Sequence, residues 1–141
     1  MKVKIKRIDE SLPLPEHQTG GSVAFDFYSR IDASIKPHQF RILPSNLIIA
    51  VPEGYFLLIA ARSSTHKRGL LPANGIGVID QDYHGEKDEI GILVYNVTDK
   101  RVDIKRGERI AQGLIIPVER AEWVEGEKLR EDSRGGFGST G

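Results

Sequence analysis

Punctuation constrains this chain more than any other feature of its sequence. Short apolar runs are broken by proline, glycine and Asn/Ser clusters roughly every eight to twelve residues, the spacing of an all-β sandwich or barrel. Lys2 to Ile8 alternates polar and apolar, the period of a half-buried strand. Leu12-Pro13-Leu14-Pro15 cannot hold a ladder and reads as an extended connector. Val23–Tyr28, Ile31–Ile35, Gln39–Leu43, Leu47–Val51 and Tyr55–Ala60 follow as strands. They are separated by Pro37, by Pro44-Ser45-Asn46 and by Pro52-Glu53-Gly54. After Ala60 the pattern allows one short helix, Arg62 to Leu70, starting near Ser63 or Ser64 and stopped at Gly69. A glycine-rich bend at residues 74–77 then predicts a β-hairpin. Glu89–Val97, Arg101–Ile104 and Arg109–Val118 complete the strands.

With 141 residues the chain suits one domain. Lys+Arg and Asp+Glu number 20 each, so no net field attracts nucleic acid or an acidic membrane. Without cysteine there is neither a disulfide framework nor a thiolate zinc site. The four histidines, at 17, 38, 66 and 84, lack paired metal-ligand spacing and read as surface side chains. The N-terminal stretch alternates charge with apolar residues, so it offers no signal core or membrane span, and the expectation is a soluble, cytoplasmic protein. Residues 1–118 form the expected core. Residues 119–141 are charged, then glycine-rich, and read as a mobile C-terminal arm of the same domain.

Five stretches carry residues suited to chemistry. Asp26 lies between aromatics in Phe25-Asp26-Phe27-Tyr28-Ser29, where it either points outward or serves a site, since an unpaired buried charge is costly. Ser63-Ser64, after Arg62, is either a plain helix cap or a phosphate cradle of hydroxyls and free backbone N–H groups. The guanidinium fork of Arg62 suits phosphate oxygens. In the bend, Asn74 offers an amide, Gly77-Val78-Ile79 offers backbone donors and acceptors, and Asp80 is a candidate base with Tyr83 beside it. A surface carboxylate with a packing tyrosine is the plainer alternative there. Gly107-Glu108-Arg109-Ile110-Ala111-Gln112 reads as a turn running into a strand. The tail Arg134-Gly135-Gly136-Phe137-Gly138-Ser139-Thr140-Gly141 is either a flexible terminus or a lid with a stacking ring and phosphate-binding hydroxyls.

These five stretches, in this order, resemble the five motifs of the trimeric dUTP diphosphatases (dUTPases). The departures are small: Val23-Ala24 replaces Ala-Gly in the first motif and Ala61 replaces proline in the second. The tail arginine sits directly before the paired glycines rather than three places earlier, where Asp132 stands. Lys87-Asp88-Glu89 lengthens the stretch after the third motif by about three residues, as an insertion or bulge that leaves the next strand's register open.

The resemblance implies a jelly-roll-like β-barrel of the β-clip class and a homotrimer with shared active sites. It implies hydrolysis of dUTP to dUMP and pyrophosphate with Mg²⁺. Asp80 would position the attacking water, and Asp26 would hold the waters of the Mg²⁺ ion. Arg62, Ser63, Ser64, Gln112, Arg134, Ser139 and Thr140 would bind phosphate. Asn74 and Gly77-Val78-Ile79 would read uracil, Tyr83 would exclude a 2′-hydroxyl, Phe137 would stack on the base, and Gly138 would let the backbone wrap the triphosphate. Two alternatives stand beside this. A dCTP deaminase-type enzyme would carry a glutamate three residues before Asn96, where this chain has Leu93. An idle nucleotide-binding regulator would use the lid for partner signalling, and an intact Asp80 and tail argue against it.

Overall fold

A computed structural model describes residues 1–138. Among these, eleven strands form four antiparallel sheets. β1 (Lys4–Arg7) pairs with β5 (Leu47–Ala50), and β3 (Ala33–Ile35) pairs with β10 (Val102–Ile104). A third sheet orders β4 (Phe40–Pro44), β9 (Gly91–Asn96) and β7 (Leu70–Pro72). The largest orders β2 (Phe25–Tyr28), β11 (Arg109–Pro117), β6 (Tyr55–Ala60) and β8 (Gly77–Ile79). Neighbours in the sheets are far apart in sequence, as the jelly-roll-like class requires. One apolar core joins the four sheets. Phe27, Ile35, Leu43, Leu47, Leu57 and Ile90 are its fully buried members.

Two local expectations are corrected. The helix is a single 3₁₀ turn, Thr65–Arg68, ended by Gly69 at φ 71°. Ser64 occupies the cap position but makes no capping hydrogen bond. Instead Thr65 Oγ1 accepts from the Arg62 N–H at 3.0 Å, and the backbone N–H groups of Thr65, Lys67 and Gly69 donate three residues back, to Arg62, Ser64 and His66 at 2.9–3.0 Å, the pattern of a 3₁₀ turn. The bend at residues 74–77 does not close a hairpin. Its arms leave for different sheets: β7 pairs with β9, and β8 pairs with β6. The bend is therefore a bridge between two sheets.

The insertion does not disturb the strand after it. β4 and β9 pair in unbroken register from Phe40↔Tyr95 to Pro44↔Gly91. The extra length is taken up before Gly91, in a turn where Asp88 N–H donates to the Gly85 carbonyl at 3.0 Å and Gly85 N–H donates to Asp88 Oδ2 at 2.6 Å.

The feature of the fold that positions the site is a bulge in β11. Arg109 lies opposite Tyr28 and Ala111 opposite Phe27, so Ile110 is the extra residue. In a regular strand, residues 109 and 112 would point to opposite faces. The bulge brings both onto the face that carries Asp26 and Tyr28, while Phe25 and Phe27 turn to the other face and pack together with ring centroids 5.4 Å apart.

Candidate active site

On that face of the largest sheet, Asp26 is only 6% exposed and is far from unpaired. Arg62 Nε donates to Asp26 Oδ1 at 2.8 Å, and Arg109 Nη1 donates to Oδ2 at 3.2 Å. Arg62 Nη1 also reaches Ser64 Oγ at 3.3 Å. Gln112, opposite both Asp26 and Ala60, donates from Nε2 to the Ala61 carbonyl at 2.9 Å and so holds the segment leading into Arg62. Ser63, next in the chain, is exposed. A cleft of about 400 Å³ opens beside this cluster. Arg62, Ser64, Lys67, Arg68 and Arg109 stand on its rim, over apolar walls that include Leu43, Val94 and Ile110. Glu108 is the one carboxylate among its lining residues and is paired with Arg68. A rim with that excess of cations suits a polyanion.

Asp80 lies elsewhere. It is exposed, on the turn after β8, in an open cleft of about 540 Å³ with Tyr55, Phe56, Gln81, Asp82 and Arg120. Gln81 Nε2 donates to the Tyr55 carbonyl at 3.1 Å and fastens this turn to the start of β6. Arg62 follows the other end of the same strand. From Tyr55 to Ala60 a strand extends about 17 Å, so one chain does not bring Asp80 to Asp26 and Arg62. Tyr83 is 41% exposed, and its hydroxyl stands 3.5 Å from the Glu89 carbonyl.

Asn74 and Gly77-Val78-Ile79 border a third, smaller space of about 110 Å³, whose far wall includes Ala61 and Thr65. This is below the usual volume of a ligand pocket, roughly 300–1,000 Å³. It lies between two sheets, smaller than a whole nucleotide needs but not smaller than a single base.

The arm leaves the core at Val118, whose N–H donates to the Gly54 carbonyl at 2.9 Å. From Glu119 to Gly138 every residue is exposed, with Trp123 at 92% and Phe137 at 114%. Among the described residues the arm's side-chain hydrogen bonds are internal, Lys128 to Glu131 and Ser133 to the Gly135 N–H. Arg134, Phe137 and Gly138 meet neither cluster within this chain. Ser139 and Thr140 lie outside the described residues.

Comparison with known proteins fits this arrangement to a family. The dUTPase family model matches residues 10–141. The deoxyuridine 5'-triphosphate nucleotidohydrolase of Dictyoglomus turgidum is 43% identical, covering 100% of this chain and 99% of its own length. This chain belongs to the dUTPase family. Its fold agrees. The dUTPase of Streptococcus mutans matches with a TM-score of 0.79 at 28% identity, over 84% of this chain and 98% of that one. The dUTPase of Staphylococcus bacteriophage 80alpha, solved with dUPNHPP, matches in fold with a TM-score of 0.87 at 24% identity, over 99% and 98%.

In this dUTPase the first, second and fourth motifs therefore meet in one cluster, and the third stands apart. Sequence reasoning missed two members of the cluster. Arg109 lies within the quoted fourth motif, but regular strand alternation turns it away from Gln112, and only the bulge reverses that. Thr65 ties down the Arg62 backbone where a serine cap was the expected device.

Proposed function

We propose that this dUTPase hydrolyses dUTP to dUMP and pyrophosphate in sites built from more than one copy of the chain, with Asp80 as the base. The observation that carries the shared site is the separation within one protomer. The phosphate-suited cluster and Asp80 occupy opposite ends of β6, so a complete site takes its cluster from one copy and Asp80 from another. A homotrimer supplies this three times over. The exposed arm supplies the lid, with Arg134, Ser139 and Thr140 on phosphate, Phe137 over the base, and Gly138 letting the backbone wrap the triphosphate.

In the reaction, Asp80 accepts a proton from a water whose oxygen attacks the α-phosphorus in line. The bond from that phosphorus to the bridging oxygen of the β-phosphate breaks, and pyrophosphate leaves with the bonding electrons. Arg62, Ser63, Ser64, Gln112 and Arg134 face the charge spread over the phosphate oxygens. Asn74 and the backbone of Gly77, Val78 and Ile79 pair with uracil, and the same groups leave cytosine's amine unmatched. Tyr83 lies against the sugar.

Family membership also implies a metal ion, and the donor set suits Mg²⁺. Among the described residues no three His, Asp or Glu side chains gather as a cage. Mg²⁺ does not need one, because it keeps several waters and is commonly carried by substrate phosphates. Asp26 offers hard oxygens with lone pairs beyond the two used by Arg62 and Arg109. It would therefore hold such an ion through the ion's waters, with the substrate phosphates supplying the remaining charge. When bound, that ion neutralises phosphate charge.

The test is a set of deoxynucleoside triphosphates and UTP with Mg²⁺, reading pyrophosphate and ammonia together. Pyrophosphate from dUTP, without ammonia, is expected. Asp80→Asn keeps the shape of the turn and removes the base, so turnover falls about 10²–10⁴-fold with dUTP still bound. Near wild-type turnover in that variant removes Asp80 from the role of base.

A further inference from the structure

The stretch that lengthens this chain after the third motif ends on Glu89, and the structure gives that residue a defined task. Its carboxylate accepts from Arg30 Nε and Nη2, at 2.8 Å each, and from the Asn46 N–H at 2.8 Å. Both partners are themselves fixed. Arg30 follows β2, and its N–H donates to the Pro44 carbonyl at 2.9 Å. Asn46 is 1% exposed, takes a left-handed φ of 71° and grips Asp9 from both sides. Its Oδ1 accepts from the Asp9 N–H at 2.6 Å, and its Nδ2 donates to the Asp9 carbonyl at 3.0 Å. The clamp on Glu89 is thus bidentate, charge-assisted and largely shielded, the kind that holds geometry best. The Glu89 and Arg30 side chains are 18% and 30% exposed.

The carbonyl of the clamped residue is the atom that meets Tyr83. At 3.5 Å the hydroxyl is at the outer edge of hydrogen-bonding distance, so the contact restrains the ring without locking it. At its base, Tyr83 is held by an N–H donated to the Asp80 carbonyl at 3.4 Å. The ring is otherwise 41% exposed, and such a side chain exchanges rotamers freely unless its tip is tethered. We infer that Glu89 is a positioning residue for sugar selection: clamped by Arg30 and Asn46, it fixes the carbonyl that restrains Tyr83 and so keeps the ring where a 2′-hydroxyl would sit. This rests on the reading of Tyr83 as the residue against the sugar.

The experiment measures kcat/KM for UTP relative to dUTP, with melting temperature as a check on folding, in Tyr83→Ala, Tyr83→Phe, Glu89→Ala and the double variant Glu89→Ala/Tyr83→Ala. Tyr83→Ala raises the ratio most. Glu89→Ala and Tyr83→Phe, which release the ring without removing it, each raise it about three- to tenfold, the scale of one net hydrogen bond. In the double variant, losing Glu89 adds nothing to losing Tyr83, because the clamp acts only through the ring. A purely structural Glu89 lowers the melting temperature and leaves the ratio alone. A folded Glu89→Ala with the wild-type ratio, beside a raised ratio in Tyr83→Ala, overturns the inference and spares the reading of Tyr83. An unchanged ratio in Tyr83→Ala overturns both. Where Glu89→Ala does not fold, Tyr83→Phe decides, and a wild-type ratio there overturns the tether.

Discussion

Glu89 and Asp26 hold charge away from water in different ways, and the difference shows at the scale of single residues. Asp26 has a guanidinium on each oxygen, so losing its carboxylate strands two cations. Glu89 has one arginine and one backbone N–H. Burial pushes its pKa up, but the Arg30 hydrogen bonds, the Asn46 N–H and the charge of Arg30 together outweigh that and hold it below the usual glutamate range. A depressed carboxylate pKa stabilises the fold above the unfolded value of about 4.3, and that stability is lost as pH falls through the folded value. Wild-type protein should therefore lose melting temperature on acidification below about pH 4.3 more steeply than Glu89→Gln, which has no such group to protonate. Parallel melting curves for the two down to acid pH show the prediction to be wrong. Which residues of the site could be read in advance follows the same logic. Arg62, Ser64 and Gln112 carry their chemistry in their side chains and neighbours. Arg109 reaches Asp26 only because β11 holds an extra residue, and nothing in Glu-Arg-Ile-Ala-Gln marks the bulge. The pairing of Glu89 with Arg30, 59 positions away, has no local signal at all.

At the scale of elements, the strands were legible because proline and glycine cannot continue a ladder. Tyr55–Ala60 appears with the bounds its turns predict, and most other strands differ only by residues at their ends. Partners were not legible. Two apolar runs around Gly75 look like a hairpin from any local window, but each finds a longer-range partner in another sheet. Gly69 ends the turn where its residue type predicts, for a physical reason that can be tested. Its φ of 71° costs a side chain about 1–2 kcal/mol. A Cβ there would also stand 2.2 Å from Thr98 Cγ2. Thr98 cannot simply rotate away, because its hydroxyl donates toward Asn96 Oδ1 at 2.7 Å and lies 2.9 Å from the Lys100 carbonyl. Crowding of that kind adds roughly 1–3 kcal/mol. Gly69→Ala should lower the melting temperature by about 5–15 °C. Gly20→Ala is the control, since nothing lies within 4 Å of its added Cβ. Equal melting temperatures for the two variants exclude both the strain and the clash.

At the scale of the whole molecule, the question is which copy's arm closes which site. Residues 119–138 are exposed throughout, and twenty residues can extend about 65 Å, several times the distance between the two ends of β6. Reach therefore permits a lid on any neighbour in the proposed trimer, and complementation identifies the donor. One inactive protein carries Asp80→Asn and keeps its arm. The other is truncated after Asp132 and keeps its base. Where a site draws base and arm from different copies, random mixing in equal amounts leaves each part intact half the time, so about one quarter of the sites are complete. Co-refolded mixtures should then recover about a quarter of wild-type turnover, from two parents that have almost none. Where base and arm in a site come from the same copy, every site lacks one or the other, and no mixture restores activity. Native mass spectrometry must show the mixed species. Mixed trimers that stay inactive assign the arm to the site that holds its own Asp80. Recovery near one quarter assigns the base and the arm of each site to different copies, so that no copy is active alone.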